Sequence, residues 1–448
     1  MTMKRGVKRK ADGHPDERDH DEGGQVGWSN FQIATRRRES LRLKSQICAT
    51  PGLVEKALKD KIQVEMSLIE GTAKFILACH NQTQSLEAGK TLLVARLRSD
   101  MMKFELNKIR RGRGSPPSNR GKPSYAGLSL SDIRIPLLWR RKEHLHDTVD
   151  SRRFAVFVVA RIGSQIYDTT LIEPVDRHVT DVSVPDVLLF SKVPPYFEIT
   201  LEVYSHEMEK ELGRGITATP QKIVRSISRA VGRTMTKSMK NFEDIGPKFE
   251  LIASVTLTLD DCDEKVKSHE LYVEESNPNH DEDETPAHHQ LPLFGQICAR
   301  LAALPYCCEE EVLCGILTMR RNGKRREMWS SLIDWKLCLW KDKSNKDAAR
   351  MPDLEIPVTR DTQIQDSGDD ILSVANKKIR WEFVFEDKEN LHNWLIHLIQ
   401  HAHDHRRWKQ AAEQRMLVYS PQNVTAQRRP FKRTRSKLVM LYNDIDRS

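Results

Sequence analysis

The chain contains no apolar run close to the roughly 20 residues that a membrane-spanning helix requires. Its first residues (MTMKRGVKRKADGHPDERDHDEGG) carry charge but no apolar h-region, so the pattern is not that of a secretory signal. Catalytic signatures are missing too. There is no GxxxxGKS or GxxxxGKT, no GxGxxG after a candidate strand, no HExxH and no GxSxG. His206-Glu207 is followed by Met-Glu-Lys, which is not a zincin helix. The 8 cysteines (Cys48, Cys79, Cys262, Cys298, Cys307, Cys308, Cys314 and Cys338) form no CxxC pair and no regular framework. Several sit inside apolar runs, the pattern of reduced, buried thiols in a cytosolic or nuclear protein. His288-His289 and the later cysteines lack the paired spacing of a zinc site. Asp260, Asp261 and Asp263 follow one strand, and Asp176 and Asp181 lie in another loop. Calcium needs about six to eight oxygens on one point, and nothing in the spacing brings these loops together. No enzyme, metal or cofactor is expected.

Charge and length are what the chain does have. Its 448 residues are 38% hydrophobic and 30% charged, which fits a water-exposed chain of two to four domains. The net charge of +9 asks for an acidic partner: nucleic acid, anionic lipid or an acidic protein face. The cations cluster at 4–10, 36–38, 108–113, 222–240, 320–326 and 428–437, with an acidic DEDE run at 281–284. The tracts 4–10 and 428–437 have the composition of nuclear-import signals or nucleic-acid arms. Aromatics are missing from them apart from Phe431, and no recognition module accompanies them, so a nucleic-acid partner is the weaker reading.

The pattern of apolar residues divides the chain. Residues 1–49 read as a disordered tail. Thr50-Pro51 is a helix start, with Thr at the N-cap and Pro at the first helical position. Leu58, Ile62, Met66, Ile69, Ala73 and Ile76 then recur at three- and four-residue steps. A polar interruption at 80–85 precedes a second stripe, Leu86, Leu93, Leu97, Met101 and Phe104. The reading for 50–112 is an antiparallel α-helical coiled-coil hairpin. A Gly-, Pro- and Ser-rich linker covers 113–127.

From 128 the apolar period shortens towards 2. Strands are expected at 130–139, 153–162, 165–173, 187–190, 197–204, 249–259 and 268–273, giving a β-sandwich over 128–290. Within it, 222–240 reads as a basic amphipathic helix. Ile223, Ile227, Val231, Met235 and Met239 form one face, while Arg225, Arg229 and Arg233 lie among the cations of the other. That is the pattern of a segment lying on an anionic membrane. A connector is expected over 291–312. The last folded unit, 313–408, shows short strands (313–319, 328–333, 336–340, 353–358, 371–374 and 380–385). A basic turn with Arg320, Arg321, Lys324, Arg325 and Arg326 follows the first of them. An amphipathic helix at 389–403, with Leu391, Trp394, Leu395, Leu398 and Ile399 on one side, closes the unit. A basic tail follows over 409–448.

Strands capped by one helix with a central Trp have the order of a pleckstrin-homology (PH) domain. The segments EGTAKFILAC and SLEAGKTLLVA, then SDIRIPLLW, RRFAVFVVARIG and VDRHVTDVSV, then LPLFGQICARLAALP and RRWKQAAEQRM, resemble collinear segments of the rhotekin and anillin family. The resemblance, rhotekin-like, spans about 50–416. It implies a REM-type hairpin, a C2-type anillin-homology sandwich and a PH-type β-barrel capped by a C-terminal helix. It also implies a non-enzymatic effector that binds GTP-loaded Rho-family GTPase. A helical hairpin would meet switch regions that are ordered only when the γ-phosphate is present. Lys61, Glu65, Lys74 and Lys90, flanking the seam, are the candidate GTPase contacts. The basic turn, with Arg320, Lys324 and Arg326 foremost, is the candidate for phosphoinositide or other anionic lipid. Septins and a role in cytokinesis or cortical organisation are further implications. The expected location is cytoplasmic, at the periphery of a membrane or the cell cortex, with nuclear import left open. The alternatives are a phosphoinositide-binding membrane adaptor without Rho binding, and a basic nucleic-acid-binding protein.

Overall fold

A computed structural model describes residues 51–79, 81–111, 123–139, 152–208, 245–274, 291–321, 323–377 and 379–418. The chain forms two units, Met1–Asp60 and Lys61–Ser448, and in the first only the opening turns of one helix are described. That helix, α1 (Pro51–Ala78), begins at the expected Thr-Pro signal. Helix α2 (Gln82–Arg110) starts inside the segment expected as a loop. The reason is Asn81, whose side chain accepts a hydrogen bond from the Gln84 N–H at 3.2 Å and caps the helix there.

The two apolar stripes do not meet as expected. In α1, Ile62, Ile69, Ala73 and Ile76 are buried. Ile69 and Ile76 pack against Ala88, Leu92 and Ala95 of α2, which are not the residues of the expected seam. The expected α2 stripe faces a β-sheet instead. Leu86 and Leu93, with Leu97 and Met101, join Phe157, Val159 and Ile166 in a separate cluster, and Phe104 is left 65% exposed. Helix α2 thus carries two apolar faces. The small side chains of Ala88 and Ala95 let α1 approach on one side, and the larger ones fill the space over the sheet on the other.

The next strands are β1 (Ala126–Pro136), β2 (Arg153–Ile162), β3 (Gln165–Asp168), β4 (Ile172–Val175), β5 (Asp181–Ser183), β6 (Leu188–Val193), β7 (Ile199–Met208), β8 (Glu250–Leu257), β9 (Lys267–Glu270), β10 (Tyr272–Val273) and β11 (Gln296–Pro305). They form two antiparallel sheets. One has the order β5-β1-β11-β9 with β6 also on β1. The other has the order β10-β8-β7-β2-β3 with β4 also on β2. Leu128, Leu130, Ile133 and Ile135 of β1 share one core with Val156 and Val158 of β2 and with Leu201 and Val203 of β7. The alternate residues of β2, Ala155, Phe157 and Val159, belong to the cluster beneath α2. A strand buried on both faces needs a continuous apolar run rather than alternation, and FAVFVVA (residues 154–160) supplies it.

The segment expected as a connector, 291–312, contains β11. This strand pairs with β1 from Ala126↔Pro305 to Arg134↔Cys298 and lies inside the first sheet. The run QICARLAALP is apolar because both of its faces are covered.

The remaining elements are β12 (Leu313–Arg321), β13 (Lys324–Ile333), β14 (Lys336–Trp340), α3 (Lys343–Asp347), β15 (Leu354–Pro357), β16 (Gln363–Asp366), β17 (Ile371–Asn376), β18 (Ile379–Val384), α4 (Lys388–Arg407) and α5 (Gln410–Glu413). The strands make a 7-stranded antiparallel sheet of order β15-β14-β13-β12-β18-β17-β16. Asp387 caps α4 by accepting hydrogen bonds from the N–H groups of Glu389 and Asn390. Helix α4 buries Leu391, Trp394, Leu398 and Ala402 against Leu317, Leu337 and Phe383. Ile399, placed on the buried face by its spacing, is 37% exposed.

The chain after α4 is not a free tail at first. Trp408, Ala411 and Met416 are buried in the sandwich core. The Trp408 indole N–H donates to the Ser124 carbonyl at 3.1 Å and to its hydroxyl at 3.2 Å. Arg300 donates to the Leu417 carbonyl at 2.8 Å. Residues 408–418 therefore strap the last unit to the sandwich.

Candidate functional site

The candidate GTPase contacts on the hairpin separate into two kinds. Lys74 is exposed and pairs with Glu70 one turn away at 2.6 Å. Lys61 is half-buried. Glu65 and Lys90 are both buried, a correction to the reading that set them on an open face. Lys90 points at the sandwich: its Nζ lies 3.1 Å from Asp168 Oδ2 on β3 and 5.6 Å from the Phe157 ring centroid. The other Asp168 oxygen accepts from Arg98 at 2.9 Å, and Arg98 Nε also donates to the Ile166 carbonyl at 3.1 Å. The motif SLEAGK therefore docks the hairpin on the sheet. Gly89 belongs to the same contact, because a Cβ there would stand 2.9 Å from the Pro247 carbonyl oxygen.

The opposite side of α1 is the more exposed one among the described residues. Val64 is 63% and Phe75 39% exposed, with Ser67, Gly71 and Lys74 exposed between them at helical spacing. Sequence reasoning looked for charges beside the seam and missed this stripe, although Val64, Gly71 and Phe75 at steps of seven and four were visible in it. A shallow groove of 380 Å³ lies between α2 and the second sheet, lined by Leu97, Met101, Phe104, Val159, Ile166 and neighbouring charges.

The basic turn is a two-residue hairpin tip. Arg321 pairs with Lys324 across it, Arg320 with Arg325, and Met319 with Arg326. Gly323 takes φ +74°, the left-handed conformation such a turn demands. Residues directly opposite share a face, and the faces alternate along the strand. Arg321, Lys324 and Arg326 thus lie on the face that carries Met319, and Arg320 and Arg325 on the other. Arg320 is engaged by Glu382, with Nη2 at 2.7 Å and Nε at 3.0 Å from one carboxylate oxygen. Arg321, Lys324, Arg325 and Arg326 are exposed and make no ion pair among the described residues. Arg225, Arg229 and Arg233, with the whole of 222–240, lie outside the described residues.

The other clusters have structural uses. Asp260 pairs with Lys409 at 2.6 Å and Asp263 with Lys267 at 3.3 Å, while Asp261 accepts from the Thr258 N–H and hydroxyl. Among the described residues, no group of three or more His, Cys, Asp or Glu side chains could hold a metal ion. Cys262, Cys307, Cys308 and Cys338 are buried free thiols. Burial, with Asp261 beside it, pushes Cys262 up to about 12, and burial pushes Cys338 up to about 11, so neither supplies a thiolate near neutrality. No helix of the described residues is long and apolar enough to cross a membrane.

The family model "Cell division protein anillin" matches residues 125–263. Rhotekin-2 of Mus musculus is 28% identical over 399 residues, covering 81% of this chain and 64% of that protein. Rhotekin of Homo sapiens is 29% identical over 406 residues, covering 81% of this chain and 70% of that protein. This chain thus spans about two thirds of the length of these relatives. A solved structure of a C2 domain is 10% identical, with a TM-score of 0.20, over 40% of this chain and 98% of that one. The anillin match over residues 125–263 and the collinear identity to the rhotekins over most of the chain support a rhotekin-like family member.

Proposed function

We propose that this protein is a non-enzymatic effector and scaffold that binds the GTP-loaded form of a Rho-type GTPase through its helical hairpin and an anionic membrane through the β12–β13 tip. The reading takes the hairpin as a REM-type coiled coil, the sandwich as C2-type and the last unit as a PH-type barrel. The observation that carries it is the outward stripe of α1: Val64, Gly71 and Phe75, with Lys74 among them, on a helix whose other side is buried. An apolar stripe with a cation suits a partner face that is ordered in one nucleotide state, and binding there stabilises that state by linkage. By the family resemblance the scaffold role extends to septins and the cortical cytoskeleton in cytokinesis, at the cytoplasmic side of a membrane. The test is binding of the full chain to a Rho-type GTPase loaded with a GTP analogue or with GDP. The expected result is binding about tenfold tighter, or about 1.4 kcal/mol, in the GTP form, lost in Val64→Asp. Equal binding of both forms, or none, sinks the effector reading.

A second reading, a phosphoinositide-binding membrane adaptor without a GTPase partner, draws on a different observation. Arg321, Lys324 and Arg326 share one face of a hairpin tip and have no carboxylate partner among the described residues. Several cations converging on one phosphate cluster make charge-assisted hydrogen bonds. If only vesicle binding survives the test above, this reading takes the place of the first.

A further inference from the structure

The outer face of the first sheet carries an apolar patch at one end. Leu137 and Leu293 form a bridge between β1 and the chain entering β11, and both pack on the sandwich core. Side chains alternate along extended chain, so the next residue of each segment, Leu138 and Phe294, faces outward. They are 55% and 54% exposed. The Phe294 N–H donates to the Pro136 carbonyl at 3.0 Å and the Leu138 N–H to the Pro292 carbonyl at 2.8 Å, which sets two prolines beside them on that face. Towards the other edge, the Leu271 N–H donates to the Gly295 carbonyl at 3.0 Å and brings the next residue, Tyr272, beside Phe294 with 69% of its surface exposed. Asp181 of β5, opposite Pro136, and Glu270 of β9, opposite Gln296, flank the patch. Glu270 is exposed, and Asp181 Oδ1 is buried without a hydrogen-bond partner among the described residues. A contiguous group of large apolar side chains with a polar rim marks a contact surface.

Where the described chain stops indicates what covers this patch. Arg300 lies on the same outer face, alternating along β11 with the core residues Ile297, Ala299 and Leu301. It holds the Leu417 carbonyl there, and Val418, the last described residue, packs over Gly127, with its Cγ1 3.7 Å from where a Cβ would stand. The strap therefore ends on the face that carries the patch. From Arg300 to Phe294 is about 20 Å along the strand, and residues 419–437 reach up to about 60 Å when extended. They close with the basic tract 428–437 and lead directly into Leu438-Val439-Met440-Leu441-Tyr442, an unbroken apolar run. The segments that adjoin the patch in sequence offer nothing comparable. Residues 275–290 contain no Val, Ile, Leu, Met, Phe, Trp or Tyr, and 140–151 contain only Leu145 and Val149. Charge agrees with this assignment: the cations of the tract suit the carboxylates of Asp181 and Glu270 at the two edges of the patch.

We propose that the run Leu438–Tyr442 of the same chain docks on the patch of Leu138, Phe294 and Tyr272, carrying the basic tract 428–437 across the outer face of the first sheet. The contact extends the strap and keeps both the patch and the tract from outside partners. It does not depend on GTPase or membrane binding. Hydrogen exchange of the full chain at two protein concentrations tests it. The backbone amides of 438–442 are expected to exchange at least about tenfold slower than those of an unstructured chain, at both concentrations. Phe294→Asp and, separately, Leu138→Asp are expected to return these amides to the free rate and to speed tryptic cleavage within 428–437. Both should keep the thermal unfolding midpoint, since each side chain is more than half exposed. Val439→Asp, which leaves the sandwich itself untouched, should speed the same cleavage. Free-chain exchange of 438–442 in the wild type overturns the proposal, as does tryptic cleavage that Val439→Asp leaves unchanged. Protection that survives both patch variants places the run elsewhere and also overturns it. Protection seen only at the higher concentration assigns the patch to a second copy instead.

Discussion

Lys90 Nζ lies 3.1 Å from Asp168 Oδ2, and both side chains are removed from water. The pair joins helix α2 to strand β3, and Arg98 completes it on the other oxygen of Asp168. Removing Asp168 leaves Lys90 buried with Glu87, at 4.0 Å, as its one paired carboxylate among the described residues. Removing Lys90 still leaves Asp168 its contact with Arg98. Asp168→Ala should therefore destabilise the chain by about 3–5 kcal/mol, the usual result of stranding a buried charge, and Lys90→Met by clearly less. Urea unfolding of both variants decides it, and a larger loss for Lys90→Met would contradict this account of the pair.

Glycine geometry at the same junction gives a second expectation. A Cβ at Gly89 would meet backbone, the Pro247 carbonyl oxygen, and a Cβ at Gly246 would stand 2.7 Å from Ile76 Cγ2 at a φ of +84°. Gly89→Ala should cost about 1–3 kcal/mol by overpacking. Gly246→Ala should cost more, because left-handed strain adds to the clash. Chemical denaturation midpoints rank the two.

The strap predicts a long-range effect. Trp408 is fully buried with its N–H satisfied by Ser124, some 284 positions earlier. Trp408→Ala should remove about 3–5 kcal/mol and loosen the sandwich as well as the last helix. Hydrogen exchange on β11 measures this, and protection there unchanged from wild type would show that the strap is not coupled to the sheet.

Acid should weaken the same junction through His401. Burial first, and His405 second, pull His401 down to about 3 from an ordinary 6.5, and its ring lies 4.8 Å from that of Trp335. A histidine whose folded pKa is depressed contributes nothing adverse above about 6.5. As pH falls below that value the unfolded chain takes up a proton that the folded chain refuses, so stability declines down to about 3. At pH 5 the loss is about 2 kcal/mol, from about 1.5 pH units at 1.36 kcal/mol each. His405, also held down mainly by burial, acts in the same direction. Asp404, held up by burial, acts in the opposite sense: below its raised folded pKa the folded chain keeps a proton that the unfolded one gives up. His401→Phe should flatten the fall in urea midpoint between pH 7 and pH 5, and an unchanged slope would assign the acid sensitivity elsewhere.

At the basic tip, Arg320 and Arg321 are adjacent in sequence but differ in role. Arg320 is held by Glu382, whereas Arg321 has no carboxylate partner among the described residues. Arg321→Ala should weaken binding to anionic vesicles at low salt by about fivefold, near 1 kcal/mol for one surface cation. Arg320→Ala should change it little. A reversed order would place the lipid on the other face of the hairpin.

Much of this architecture was legible because local pattern and tertiary role coincide. The run at 153–162 gave β2, and the Thr-Pro signal gave the start of α1. Leu391, Trp394 and Leu398 gave the buried face of α4. What misled was apolar spacing that serves two partners at once. Leu86, Leu93 and Leu97 have the period of a coiled-coil seam, yet they pack on a sheet about 60 residues further on. Gln363–Asp366 was missed because Ile364 is its only apolar residue and it lies at the sheet edge. Lys90 was placed on a solvated surface because a lysine's partner, 78 positions away at Asp168, leaves no local trace. The outward stripe of α1 was overlooked for the opposite reason, since attention to charge passes over valine and phenylalanine.

The position of β11 between β1 and β9 bears on how the chain can be made. Strand β1 leaves the ribosome early, but its neighbour along most of its length, Gln296–Pro305, is about 160 residues behind it. At roughly 5–20 residues per second, the nascent chain must hold the apolar edge of β1 unpaired for on the order of ten seconds or more. The strap over that sheet arrives later still. During synthesis this sandwich is the part that most needs a chaperone, and an expression fragment stopped at residue 290 keeps that edge open permanently.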